Sequence, residues 1–188
     1  MGTLGTNTGV TFASDATLGV VAITNPSNAA LSDNAYATSV LLATQVSNYL
    51  KCTNFGFTIP LDATIVGVTV NIERSSTIVA TTNDNSVKLV KGGVISGSDK
   101  AVGTAWGTAD SVAVYGSAND LWGLTLTPAD INSSTFGVVI SAVTTLAATA
   151  QVDMVSITIE YVGSNGSGSI GSMIKSGNGM SVNGGYNR

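Results

Sequence analysis

Apolar and polar residues alternate with a period of two along most of this chain. Within Ala63–Arg74, Val66, Val68, Val70 and Ile72 point one way while Thr69, Asn71 and Glu73 point the other. That is the pattern of a half-buried strand, because successive side chains of an extended backbone project to opposite faces. Gln151–Tyr161 repeats it, with Val155, Ile157, Ile159 and Tyr161 set against Ser156, Thr158 and Glu160. Asn85–Val90, through Val87 and Leu89, and Phe136–Val143 supply two more strands. Shorter alternations at Leu18–Ile23, Tyr36–Val46, Asn54–Ile59, Val112–Tyr115 and Leu121–Leu126 bring the expected number to about nine. Turn-rich stretches separate them: Asn25-Pro26-Ser27-Asn28, Lys91-Gly92-Gly93 and Gly116-Ser117-Ala118-Asn119-Asp120.

Many short strands with one polar face predict an all-β fold, an antiparallel β-sandwich of jelly-roll type. The one helical signal is Thr127-Pro128-Ala129-Asp130-Ile131-Asn132. Thr127 suits the N-cap, Pro128 the first helical position, and Asp130 the return bond of a capping box. The segment reads as a single turn between strands. Periodicity is absent from residues 1–16 and again after Val162, so the expected organisation is an N-terminal arm (1–16), a sandwich domain (17–162) and a Gly/Ser-rich C-terminal arm (163–188).

The C-terminal segment changes the picture most. It holds 8 of the 22 glycines and no acidic residue. Such a composition does not bury enough apolar surface to offset its ordering entropy. Its apolar residues Ile170, Met173, Ile174, Met180, Val182 and Tyr186 are scattered among glycine and serine. That spacing fits an extended arm presenting isolated anchors to pockets on a partner.

Charge is sparse. Charged residues make up 10% of the 188, against a hydrophobic share of 44%, and a usual soluble domain has about a quarter charged. A neutral, hydroxyl-rich surface suits a protein covered by neighbours or working outside the cell. The net charge of −4 is uneven, because Lys175 and Arg188 lie in the tail and residues 1–162 carry 5 basic against 11 acidic groups. That body repels phosphate backbones, so nucleic acid is not an expected partner. The longest apolar runs, such as Val40-Leu41-Leu42-Ala43, are far too short to span a bilayer, and no membrane partner is expected. Met1–Val10 lacks the basic and apolar regions of a signal peptide.

Candidate chemistry is thin. Without histidine there is no Ser-His-Asp or Cys-His nucleophile and no histidine metal site. Cys52 is the only cysteine and reads as a small buried core residue. Gly166-Ser167-Gly168-Ser169-Ile170-Gly171 matches a dinucleotide-binding fingerprint in letters, but no helical pattern or downstream acid follows. Paired carboxylates would suffice for glycoside hydrolysis, yet nothing in the spacing of Asp120, Asp130, Asp153 and Glu160 singles out a pair. Asp33-Asn34 is too weak an oxygen set for Ca²⁺. The chain therefore reads as non-enzymatic, with no metal and no cofactor. Trp106 and Tyr115 are candidate platforms for sugar rings, whereas Trp122 reads as core beneath the Thr127 turn.

The middle of the chain resembles a segment recurring in virion proteins of tailed bacteriophages. The residues that carry the resemblance begin with Asn54-Phe55-Gly56-Phe57-Thr58-Ile59-Pro60 and Ala63-Thr64-Ile65-Val66-Gly67-Val68. They continue through Tyr115-Gly116, Asp120-Leu121-Trp122-Gly123 and Thr127–Asn132, and close with Phe136-Gly137-Val138, Val152-Asp153 and Ile157–Tyr161. The likeness covers roughly residues 33–162 and leaves both arms outside it. It implies a structural virion component without an enzymatic activity. The expectation is a capsid decoration (cement) protein on the capsid exterior, bound to the major capsid protein or other virion proteins. A homo-oligomer is expected with it, a trimer being one arrangement. A tail or head fibre module that binds host glycans through Trp106 and Tyr115 is the alternative.

Overall fold

A computed structural model of the chain describes residues 10–163 in full and the backbone of residues 170–176 and 179–183. Strands β1 (Thr11–Asp15), β3 (Tyr49–Thr53), β8 (Gly137–Thr144), β5 (Thr82–Lys91) and β6 (Val94–Ser96) form one sheet in that order. The second sheet runs β11 (Gly179–Asn183), β10 (Ile170–Ser176), β9 (Ala148–Val162), β4 (Thr64–Ser76) and β7 (Ser111–Ser117), with β2 (Ala37–Leu41) also paired to β9. All pairings between these strands are antiparallel, and the two sheets pack face to face as an all-β sandwich.

Alternation places the core. Val68, Val70 and Ile72 of β4 and Val155, Ile157 and Ile159 of β9 are fully buried and meet Val87, Leu89, Val138 and Ile140 of the facing sheet. Burying each such side chain stabilises the fold by about 1.5–3 kcal/mol. β8 is buried on both faces, which is why its sequence runs nearly continuously apolar: Val139 on its outer side packs with Tyr49, Val90, Leu18 and Ile95. The β5–β6 hairpin turns through Gly92 (φ 58°) and Gly93 (φ 82°). Two consecutive positive φ values define the type I′ geometry that glycine adopts without strain. Helix α1 (Pro128–Asn132) has the expected capping box: Asp130 N donates to Thr127 Oγ1, and Thr127 N donates back to the Asp130 carboxylate.

Several expected strands differ. Asn54–Ile59 keeps its alternation, with Phe55, Phe57 and Ile59 buried and Gly56 and Thr58 exposed, yet it joins no ladder among the described residues. Its end is held instead by Asn132, whose side chain accepts from Ile59 N and donates to Ile59 O. Leu121–Leu126 turns sharply because Trp122 (φ 58°) and Gly123 (φ 68°) are left-handed. Leu18–Ile23 contributes one isolated bridge, Val21 to Ser47. In the expected N-terminal arm, Thr11–Asp15 is strand β1, paired to β3, and residues 1–9 lie outside the described residues. In the expected C-terminal arm, Ile170–Ser176 pairs along Ser156–Val162 of β9, and Gly179–Asn183 pairs back on it. These parts of both segments are strands of the sandwich sheets.

Three connections cross from one sheet to the other at the same end of the molecule. They are residues 42–48 between β2 and β3, 77–81 between β4 and β5, and 145–147 between β8 and β9.

Candidate functional site

The two aromatic residues put forward as a sugar platform are buried. Trp106 and Tyr115 are each 2% exposed and belong to the core. Asp84 of β5 gathers them: its Oδ1 accepts from Trp106 Nε1 at 2.8 Å, and its Oδ2 accepts from Tyr115 Oη at 3.0 Å and Val102 N at 3.1 Å. Arg74 of β4 completes the group. Its Nε donates to Tyr115 Oη at 3.0 Å and lies 3.5 Å from Asp84 Oδ1, and its guanidinium sits 4.8 Å from the Trp106 ring centre. Burial, followed by the charge of Asp84, pushes the Tyr115 phenol well above its ordinary range. The glycan reading of both residues is therefore corrected. Their polar atoms satisfy a buried ion pair, and neither ring offers a face to a sugar. What the group does is tie both sheets to residues 97–110, the connection between β6 and β7.

The candidate acids are dispersed. Asp120 is bonded to Lys100 at 2.7 Å and accepts from Trp122 N, which together hold its carboxyl below the usual range. For Asp130, burial raises the pKa, but bonds from Thr127 and the charge of Lys91 outweigh it. Asp153 is 1% exposed, and its two oxygens accept from Asp33 N and Asn34 N, latching residues 33–34 onto β9. Burial raises its pKa against those bonds, and the charges of Glu73 and Asp110 add to the rise. Tyr36 donates to Asp110 Oδ2 at 2.7 Å, and that bond pushes its phenol up to about 12. The Asp33-Asn34 loop is thus a turn whose donors serve Asp153. Among the described residues, no group of three or more Cys, Asp or Glu side chains is placed to hold a metal ion. Cys52 is fully buried, and burial pushes its thiol up.

A cavity between the sheets is lined by Ser39, Ser47, Trp106, Ala142 and Val152, among others, and measures about 20 Å³. That is room for roughly one water molecule, far below the several hundred Å³ of a small-molecule site.

Of the proposed arm anchors, Ile170, Met173 and Ile174 fall on β10, opposite Val162, Ile159 and Thr158 of β9. Met180 and Val182 fall on β11, opposite Lys175 and Met173. Tyr186 lies outside the described residues. The surface feature that sequence reasoning missed is the apolar character of the sheet-crossing end. Leu42, Ile78, Val79 and Leu146 are exposed there, one or two on each connection. The signal was present in Val40-Leu41-Leu42-Ala43, a run whose interest as a surface is hidden until the fold shows that only Leu41 turns inward.

Comparison with known proteins finds no matching family model, no matching curated protein and no matching solved structure. No helix among the described residues is long and apolar enough to cross a membrane.

Proposed function

We propose that this chain is a non-enzymatic structural protein of a tailed-phage virion, of the capsid decoration kind, seated on the outside of the shell against the major capsid protein or its neighbours. The observation that carries the reading is the surface. Among the described residues, eleven large apolar side chains are exposed, on a chain with few charges. They occur at the sheet-crossing end (Leu42, Val79, Leu146), in the connection and hairpin of the opposite end (Leu61, Val94) and on β7 (Val112, Val114). A free monomer gains nothing from apolar groups on so many sides, whereas a protein embedded in a lattice meets neighbours on several of them. The resemblance of residues 33–162 to virion proteins points the same way. The glycan-binding fibre alternative loses its platform with the burial of Trp106 and Tyr115.

The test is mass spectrometry of purified virions combined with antibody labelling of intact particles. Stoichiometric presence with label over the head supports decoration, and label confined to the tail moves the protein to a fibre. Absence from purified particles sinks the reading.

A further inference from the structure

The sheet-crossing end is hydrogen-bonded within itself and apolar on its outside. Its three connections are held by backbone hydrogen bonds to one another and to the strand ends beside them: Thr44 N to Thr144 O of β8 at 2.7 Å, Thr145 N to Thr81 O at 2.8 Å, and Thr77 N to Thr149 O of β9 at 3.1 Å. The threonine hydroxyls are also used internally. Thr81 Oγ1 donates to Ile78 O, Thr145 Oγ1 to Thr81 O and Thr144 Oγ1 to Leu146 O, while Thr77 Oγ1 accepts from Thr149 N. Covering this end therefore leaves these groups bonded. What it offers outward is apolar: Leu42 is 62% exposed, Ile78 44%, Val79 67% and Leu146 59%.

Charge decides what covers it. None of the chain's 7 basic and 11 acidic residues falls within residues 35–50, 75–83 or 141–152, which build this end. Residues 1–162 as a whole carry 5 basic against 11 acidic groups, so two copies repel each other least where no charge lies. At this end they meet none. A lipid surface fits poorly, because these segments have no lysine or arginine for headgroups and no tryptophan for the interface. A basic protein partner would be drawn to the acidic faces instead. A second copy of the same end matches it in both polarity and charge.

We infer that the end formed by Leu42, Ile78, Val79 and Leu146 is a homotypic interface, joining two copies of this chain end to end about a twofold axis. The contact is isologous, so each connection of one copy meets connections of the other. The inference stands on this surface alone and does not require that the chain belong to a virion.

Sedimentation equilibrium of the purified full chain, up to about 100 µM, tests it. The expected result is a dimer that Leu42→Ser/Val79→Ser/Leu146→Ser weakens by about tenfold or more. Val112→Ser/Val114→Ser, which removes an equally exposed apolar pair on β7, should leave the dimer intact. Val79→Asp alone, a single exposed loop change, provides a second disrupting variant, with circular dichroism confirming that each variant is folded. A wild-type chain that stays monomeric overturns the inference, since the face then belongs to a different partner. So does association that survives the triple change, or that the β7 pair abolishes equally.

Discussion

The indole nitrogen of Trp106 donates to Asp84 Oδ1 across 2.8 Å, and the other oxygen of that carboxylate accepts from Tyr115. Through Trp106 the long β6–β7 connection is bonded to β5, with Arg74 of β4 as the counter-charge. The Asp84 side chain is fully buried and that of Arg74 is 6% exposed. A buried pair of this kind adds little compared with apolar packing, but losing one member is costly because the other charge is stranded.

Asp84→Ala should therefore destabilise the fold by about 3–5 kcal/mol. Trp106→Phe keeps most of the ring and removes one donor, so its cost should be nearer 1–3 kcal/mol. The two changes share a partner and will not add. Urea unfolding of the single and double variants measures all three quantities. An Asp84→Ala variant within about 1 kcal/mol of wild type would show that the ion pair is not needed for the fold.

Gly116 pairs with Thr69 on β4 at φ 72°, directly against Trp122. A Cβ there would stand 2.4 Å from Val68 O and 2.5 Å from Trp122 Nε1, the two atoms that bond each other at 2.9 Å. Gly116→Ala meets backbone strain of about 1–2 kcal/mol and a clash with atoms that have nowhere to move. Gly92 is also left-handed, at φ 58°, but nothing lies within 4 Å of its would-be Cβ. Gly92→Ala should cost only the strain, about 1–2 kcal/mol. The difference between the two thermal midpoints isolates the steric part, and equal midpoints would contradict the close approach of Trp122.

The acid limb of stability has two opposed contributions. Lys100 and Trp122 N lower the folded pKa of Asp120 below its ordinary 3.8. Its stabilisation is complete above the unfolded pKa and is lost as pH falls through the lower folded value. Asp153 has the opposite sign: burial raises its folded pKa above 3.8, so its contribution grows as pH falls through that raised value. Asp120→Asn should flatten the loss of thermal stability below about pH 4. Asp153→Asn should remove the opposing gain just above that range, since the amide does not titrate. Melting temperatures from pH 3 to 7, about the range spanned by these groups, separate the two. Parallel curves for both variants and wild type would rule out the assignment.

How legible the fold was depended on the length of each alternation and on what covered its outer face. β4 and β9 are long, and their outward Thr69, Asn71, Thr158 and Glu160 contrast plainly with buried valine and isoleucine. β3 was missed because Tyr49, buried on the outer side against Val90 and Val139, erases the contrast in five residues. Asn54–Ile59 alternates as a strand does, yet among the described residues its backbone finds no neighbouring strand, and alternation reports burial rather than pairing. Trp122 was legible as core from its place before a capped helix. Trp106 was not, because its partner Asp84 lies 22 residues earlier in sequence, on β5, while Trp106 itself sits in a connection outside any strand. The tail strands were hidden by composition: glycine and serine carry no strand preference, and β10 is ordered by the edge of β9 rather than by its own residues.

That last dependence runs in both directions. β9 is partnered along one side by β4, and along the other by β2 over residues 148–152, by Ala30 at Met154, and by β10 over residues 156–162. Removing the chain after Gly163 strips β10 and leaves the last seven residues of a central strand as an open edge, beside fully buried Ile157 and Ile159. Truncation should lower stability by a few kcal/mol, as several ladder hydrogen bonds at about 0.5–1.5 kcal/mol each are lost. It should also promote aggregation through the exposed edge. Hydrogen exchange localises the effect: amides of 156–162 should lose protection most, while those of β5 and β8 keep theirs. A truncated chain with unchanged stability and unchanged exchange along β9 would mean that the segment serves a partner rather than its own sheet, and the anchors Ile170, Met173 and Ile174 would then act as an arm.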